Sequence, residues 1–105
     1  MRMIKVYVLY PNNAGSTFDM DYYLNQHMPM VGQRLGAALK GMSVDHALSG
    51  GQPGTDAAYR VITTLKFDSV DAFERAFTPF AGEITGDIPR FTNIVPTLQI
   101  TEVKM

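Results

Sequence analysis

His27, Tyr23 and Asp87 are the residues of this sequence best suited to moving a proton. His27 is one of only two imidazoles in the chain, and an imidazole titrates close to neutral pH, which suits a general base. Tyr23 lies four residues before it, so on a helix the two side chains share one face. Both belong to the stretch Gly15-x-x-Phe18-Asp19-x-x-Tyr22-Tyr23-x-x-x-His27-x-Pro29. A second stretch, Asp87-Ile88-Pro89-x-Phe91-Thr92-Asn93-Ile94-x-Pro96, brings the carboxylate. Asp87 can orient His27 as the third member of a catalytic triad orients its base. Alternatively, it is a turn carboxylate bonded to nearby amides such as those of Thr92 or Asn93. Tyr22, Met28 and Ile88 are the expected substrate-binding residues of an apolar pocket around these three. Each of the proposed catalytic groups also has a structural reading: His27 bonded to a backbone carbonyl freed by Pro29, Tyr23 packed as a staple, and Tyr22 in the core or at an interface.

The remaining chemistry is sparse. His46 sits among Met42, Val44 and Leu48 and reads as an interface or pocket-wall residue. Met20, Met28, Met30 and Met42 suit an adaptable cavity but are equally ordinary core filler. The chain has no cysteine, which excludes disulfides, thiolate nucleophiles and cysteine-held metal clusters and favours a cytoplasmic location. No histidine pair or carboxylate cluster suggests a metal site, and no cofactor is expected. Gly50-Gly51-x-x-Gly54 lacks the lysine of a phosphate loop and reads as a hairpin. Lysines and arginines are scattered over a net charge of −1, so nucleic acid is not expected as a partner. Apolar runs fall far short of the ~20 residues that span a bilayer, so no membrane association is expected.

The elements that must position these groups follow from periodicity. Residues 3–10 are β-branched and aromatic and read as a strand, with Ile4, Val6, Val8 and Tyr10 on one face and Met3, Lys5, Tyr7 and Leu9 on the other. Asp19 is the expected N-cap of a first helix, with Phe18 and Tyr23 as its hydrophobic staple. Leu24, Met28, Val31, Leu35 and Ala38 form its predicted buried stripe. Pro29 should kink this helix or split it near His27, and Gly41 should end it. Strands are expected from Met42 to Leu48 and from Ala58 to Phe67, separated by a glycine-rich loop. Asp68 is the expected cap of a second helix with Val70, Phe73 and Phe77 as its stripe, and Pro79 as its end. A further helical spacing, Phe80, Ile84 and Ile88, precedes a last strand from about Ile94 to Val103.

The order β-α-β-β-α-β predicts an α+β, ferredoxin-like fold: a four-stranded antiparallel sheet with helices on one face. At 105 residues the chain fits a single domain, 1–105, of modest stability. Two helices cover one sheet face, and apolar residues on both faces of the first strand call for a second cover. A face-to-face homodimer supplies it.

Several stretches carry a family resemblance: Leu9-Tyr10-Pro11, Phe18-Asp19, Tyr22-Tyr23-x-x-x-His27-x-Pro29, Phe67-Asp68-Ser69 and Asp87-Ile88-Pro89-x-Phe91-Thr92. In this combination and order the chain resembles the EthD family of the dimeric α+β barrel superfamily. The resemblance implies a dimeric barrel with an apolar pocket for a small apolar or aromatic ligand. It also implies a role in the catabolism of small organic compounds (ethers, aromatics or polyketide-like molecules), as an oxidoreductase or a cofactor-free proton-transfer enzyme. The alternative is a non-catalytic ligand-binding or accessory protein of an oxygenase system.

Overall fold

The computed structural model describes residues 2–105. Its elements are β1 (Ile4–Pro11), α1 (Met20–Tyr22), a π turn (Tyr23–His27), α2 (Met28–Leu35), β2 (Gly41–His46), β3 (Tyr59–Phe67), α3 (Val70–Phe77), α4 (Ala81–Gly86) and β4 (Thr97–Glu102). Single 3₁₀ turns occupy Gly36–Ala38, Thr78–Phe80 and Ile88–Arg90. The strands form one sheet in the order β2-β3-β1-β4, and every neighbouring pair is antiparallel. The expected ferredoxin-like α+β fold is therefore the observed one.

Strand alternation sets the two sheet faces. Ile4, Val6, Val8 and Tyr10 stand opposite Phe67, Leu65, Thr63 and Val61 on the face the helices cover, and all but the half-buried Val8 are buried. The intervening pairs, Lys5 with Lys66, Tyr7 with Thr64 and Leu9 with Ile62, line the opposite face, which carries no helix. Between sheet and helices lies one apolar core that includes Tyr23, Met28, Val31, Leu35, Phe73, Ile84 and Phe91.

Several local expectations change. Leu24 is not part of the buried stripe; it is 47% exposed. The cause is the π turn, in which the Met28 amide bonds the Tyr23 carbonyl, five residues back. One extra residue in that turn puts Tyr23, His27 and Met28 inward and leaves Leu24 outward. The same turn accommodates Pro29, which has no amide hydrogen to continue an α-helical ladder. The helix ends at Gly36 rather than Gly41. Gly36 adopts a φ of 60°, a region that favours glycine, and Gly41 instead begins β2. Asp68 does not cap the second helix: the Ser69 hydroxyl accepts the Ala72 amide at 3.0 Å, and Val70 is largely exposed. The predicted N-cap Asp19 does accept the Tyr22 amide, at 3.1 Å, and the Phe18 and Tyr23 rings meet edge to face at 4.9 Å. The strands expected from Met42 to Leu48 and from Ile94 to Val103 are both shorter: β2 ends at His46, and residues 94–96 form an irregular stretch before β4 begins at Thr97.

These caps can be told apart by urea unfolding. Ser69→Ala should cost about 1 kcal/mol through the orphaned Ala72 amide, whereas Asp68→Ala should change stability by less than about 0.5 kcal/mol.

Candidate functional site

The two motifs meet in space. Phe18 and Thr92 form an antiparallel bridge, and the Asp19 amide donates to the Phe91 carbonyl at 2.7 Å. The Thr17 amide donates to Asn93 Oδ1 at 2.9 Å, and the Thr92 hydroxyl donates to the Thr17 carbonyl at 2.6 Å. This lacing carries the segment of Asp87 against the π turn of His27. The rings of Tyr10, Phe18, Tyr23 and Phe91 pack edge to face or tilted around it. The rings of Tyr23 and His27 stack at 5.4 Å, and Phe91 lies 4.6 Å from His27.

His27 is 4% exposed. Its Nδ1 bonds Asp87 Oδ2 at 2.9 Å, while the other carboxylate oxygen accepts the Tyr22 hydroxyl at 2.8 Å. Arg90 Nε lies 3.5 Å from that same oxygen. The reading of Asp87 as a turn carboxylate bonded to the amides of Thr92 or Asn93 therefore gives way to side-chain partners. The reading of His27 as a backbone-bonded histidine gives way likewise.

Burial holds the His27 pKa below its ordinary 6.5 and outweighs the opposing pull of Asp87. For Asp87 burial is the largest single effect and raises the pKa. The hydrogen bonds from His27 and Tyr22, with the charges of His27 and Arg90, outweigh it and leave the carboxyl below its usual range. At neutral pH the pair is thus an ionised carboxylate beside a neutral imidazole. A carboxylate can only accept, so Nδ1 carries the proton and Nε2 keeps a lone pair. Nε2 makes no protein hydrogen bond, and no buried side-chain nitrogen or oxygen among the described residues lacks a partner. Nε2 is therefore open.

His27 also lines a cavity of about 70 Å³ between the sheet and the helices, walled in addition by Tyr23, Met28, Thr63, Ile88 and Leu98 together with further, mostly apolar side chains. This space holds several waters and is smaller than the roughly 300 Å³ at which ligand pockets begin. Tyr23, Met28 and Ile88 line this cavity, and Asp87 is bonded to the His27 ring. Tyr22 is elsewhere: it lines a separate surface depression with Gln26, Met30, Glu83 and Asp87. The Tyr23 hydroxyl is bonded to Thr63 Oγ1, and its pKa is raised by burial. Thr63 went unnoticed in the sequence, although a threonine at the inward position between Val61 and Leu65 is a polar group where the alternation demands an apolar one. Arg90 offered no such signal. His46 is exposed on β2, outside the cavity.

Among the described residues, no group of three or more His, Cys, Asp or Glu is placed to hold a metal ion. No helix among them is long and apolar enough to cross a membrane.

A ferredoxin-like sheet with an imidazole–carboxylate pair beside an apolar cavity defines a small α+β protein with a buried acid–base pair. Residues 15–94 match the EthD domain, and the chain belongs to the EthD family. It is similar to an EthD-like protein of Ralstonia eutropha JMP134, with 41% identity over 100% of this chain and 95% of that one, at a TM-score of 0.94. It is also similar to an EthD family protein of Bacillus halodurans C-125, at 22% identity over 97% and 99% of the two chains and a TM-score of 0.73. A protein of Thermobifida fusca YX described as dimeric and ferredoxin-like shares the fold at 18% identity over 97% and 92%, with a TM-score of 0.60. None of the curated proteins matches the sequence.

The ionisation of His27 should be visible in stability. The unfolded chain binds a proton at His27 near pH 6.5, the folded chain only at lower pH, so protons favour unfolding in that window. Thermal unfolding should show wild type losing stability relative to His27→Gln as pH falls below 6.5, with the gap widening toward the folded value. Asp87, also depressed, adds a loss of the same sign at more acidic pH in wild type, and a smaller one in His27→Gln, where the bond and charge of His27 are gone.

Proposed function

We propose that the protein is a cofactor-free proton-transfer enzyme acting on a small, mostly apolar organic molecule, in the catabolism of ether, aromatic or polyketide-like compounds. The observation that carries this reading is the open Nε2 of a neutral His27, held by Asp87 and facing an apolar cavity. The substrate's body fills the space beside Met28, Ile88 and Leu98, and an acidic C–H or O–H group points at Nε2. His27 takes that proton. The resulting imidazolium is stabilised by Asp87, whose charge stands behind the ring as in a catalytic triad. Tyr23 and Thr63 have two hydroxyl protons and one mutual bond, so one proton is left for a developing oxyanion. Deprotonation is the common first step whether the carbanion or phenolate is then isomerised, cyclised or oxidised by dioxygen as a co-substrate that takes up its electrons, so oxidoreductase chemistry belongs to the same reading.

The active form is proposed to be a homodimer. Support comes from the helix-free sheet face, where Tyr7, Leu9 and Ile62 are only half buried, and from the dimeric description of the Thermobifida fusca protein. Light scattering should report twice the mass of the chain, and Tyr7→Asp with Leu9→Asp should return it to one.

Hydrogen–deuterium exchange at the carbon next to the carbonyl of small cyclic ketones, or turnover of simple phenols, tests the chemistry. Wild type should accelerate exchange, and His27→Gln should lose about 10²–10⁴-fold of that acceleration. Equal rates would remove His27 from the mechanism. Binding of such ligands without any turnover would make the protein a ligand carrier or an accessory of an oxygenase system.

A further inference from the structure

We propose that Tyr22 and Arg90, which do not touch the cavity, are positioning residues that act on His27 through Asp87. This rests on the reading of His27 as the base. A carboxylate bonded to a histidine through one oxygen is still free to swing about its last side-chain bond. Here the second oxygen is held from two further directions, by the Tyr22 hydroxyl at 2.8 Å and by Arg90 Nε at 3.5 Å. These donors come from different places in the chain. Tyr22 closes α1, where its amide is tied to the Asp19 cap at 3.1 Å. Arg90 closes the 3₁₀ turn that starts one residue after Asp87. The carboxylate is therefore clamped between the two motifs.

Tyr22 acts along a second route as well. Its ring stacks on Phe91 at 6.4 Å and 20°, and Phe91 in turn lies 4.6 Å from the His27 ring. The same side chain thus braces both members of the pair, one by a hydrogen bond and one by packing. Tyr22 is well suited to donate, because its bond to Asp87, burial and the Asp87 charge keep its hydroxyl protonated.

The clamp decides the tautomer. An ionised Asp87 can only accept, which forces the proton onto Nδ1 and leaves Nε2 basic. The charged or titratable groups around Asp87 are His27, Tyr22, Arg90 and, on α4, Glu83, whose negative charge repels that of Asp87. Burial alone favours a protonated Asp87, and His27, Tyr22 and Arg90 outweigh it. With Tyr22 removed the carboxylate stays ionised but is free to swing off Nδ1. An imidazole without that acceptor can carry its proton on Nε2, where it blocks the lone pair the reaction needs.

The ¹⁵N shifts of the His27 ring read this directly, without substrate. Wild type should show a protonated Nδ1 and a bare Nε2 at neutral pH. Tyr22→Phe should raise the Nε2–H fraction while the backbone spectrum stays folded, and Arg90→Gln should do so to a smaller degree. Asp87→Asn, which replaces the acceptor with an amide, shows how far the signal can move. In the exchange assay Tyr22→Phe should lower kcat on the order of tenfold and leave KM for the ketone unchanged. A wild-type tautomer in both Tyr22→Phe and Arg90→Gln would overturn the proposal. So would a rise in KM with kcat and tautomer intact, which would make Tyr22 a contact residue. If Tyr22→Phe does not fold, Arg90→Gln alone decides, since Arg90 is exposed. Because the tautomer is measured on the free protein, a shifted tautomer without turnover would contradict only the enzymatic reading, and turnover with an unshifted tautomer only this one.

Discussion

A neutral imidazole can sit in an apolar interior only if the proton on one nitrogen has an acceptor and the other nitrogen has a use or a solvent. The bond from His27 Nδ1 to Asp87, 2.9 Å long, meets the first condition, and the cavity meets the second. Much of the helical layer can be understood as the framework this bond requires. Asp87 must arrive beside the π turn, so the chain laces Thr17 and Asp19 to the segment from Phe91 to Asn93. The carboxylate must stay ionised despite burial, so the Tyr22 hydroxyl donates to it and the Arg90 guanidinium stands beside it as an ion-pair partner.

The π turn resolves a conflict between a proline and a histidine. An α-helix through Pro29 would lose a backbone bond and crowd the preceding turn. Widening the turn from Tyr23 to His27 relieves this and rotates the next residues by one position. Consecutive side chains, His27 and Met28, are both buried as a result: one supplies the polar atom of the cavity, the other its soft wall. The aromatic rings around them have little freedom to move, since each meets two or more others. Pro96 and the half-exposed Leu98 of the edge strand also line the cavity. Arg34 and Glu83, paired through two bonds of 2.8 and 3.1 Å, fix α2 against α4 at the outer surface.

Strand alternation, the Asp19 cap with its Phe18–Tyr23 staple, and the β-α-β-β-α-β order could all be read from the sequence, because each depends on neighbours a few residues apart. The site was legible as a set of residue types but not as an arrangement. Tyr23 looked the better partner of His27, being four residues away. It does stack on the ring, yet its hydroxyl turns to Thr63, and it is Tyr22 that reaches Asp87. That exchange follows from the π turn, whose extra residue no α-helical periodicity contains. The misplaced cap at Asp68 and the misread Leu24 have similar causes: each was assigned by spacing one position away from where backbone geometry puts it. The contact between Asp87 and His27 is long-range, and local pattern carries no information about it.

A structure of the protein with a small phenol bound would test the central claim most directly. The account predicts the ring between β1, β3 and α2, with its oxygen about 3 Å from His27 Nε2 and the bond from Nδ1 to Asp87 unbroken. A phenol seated in the cavity with its oxygen turned away from His27, or bound only at the surface depression beside Tyr22, would contradict it.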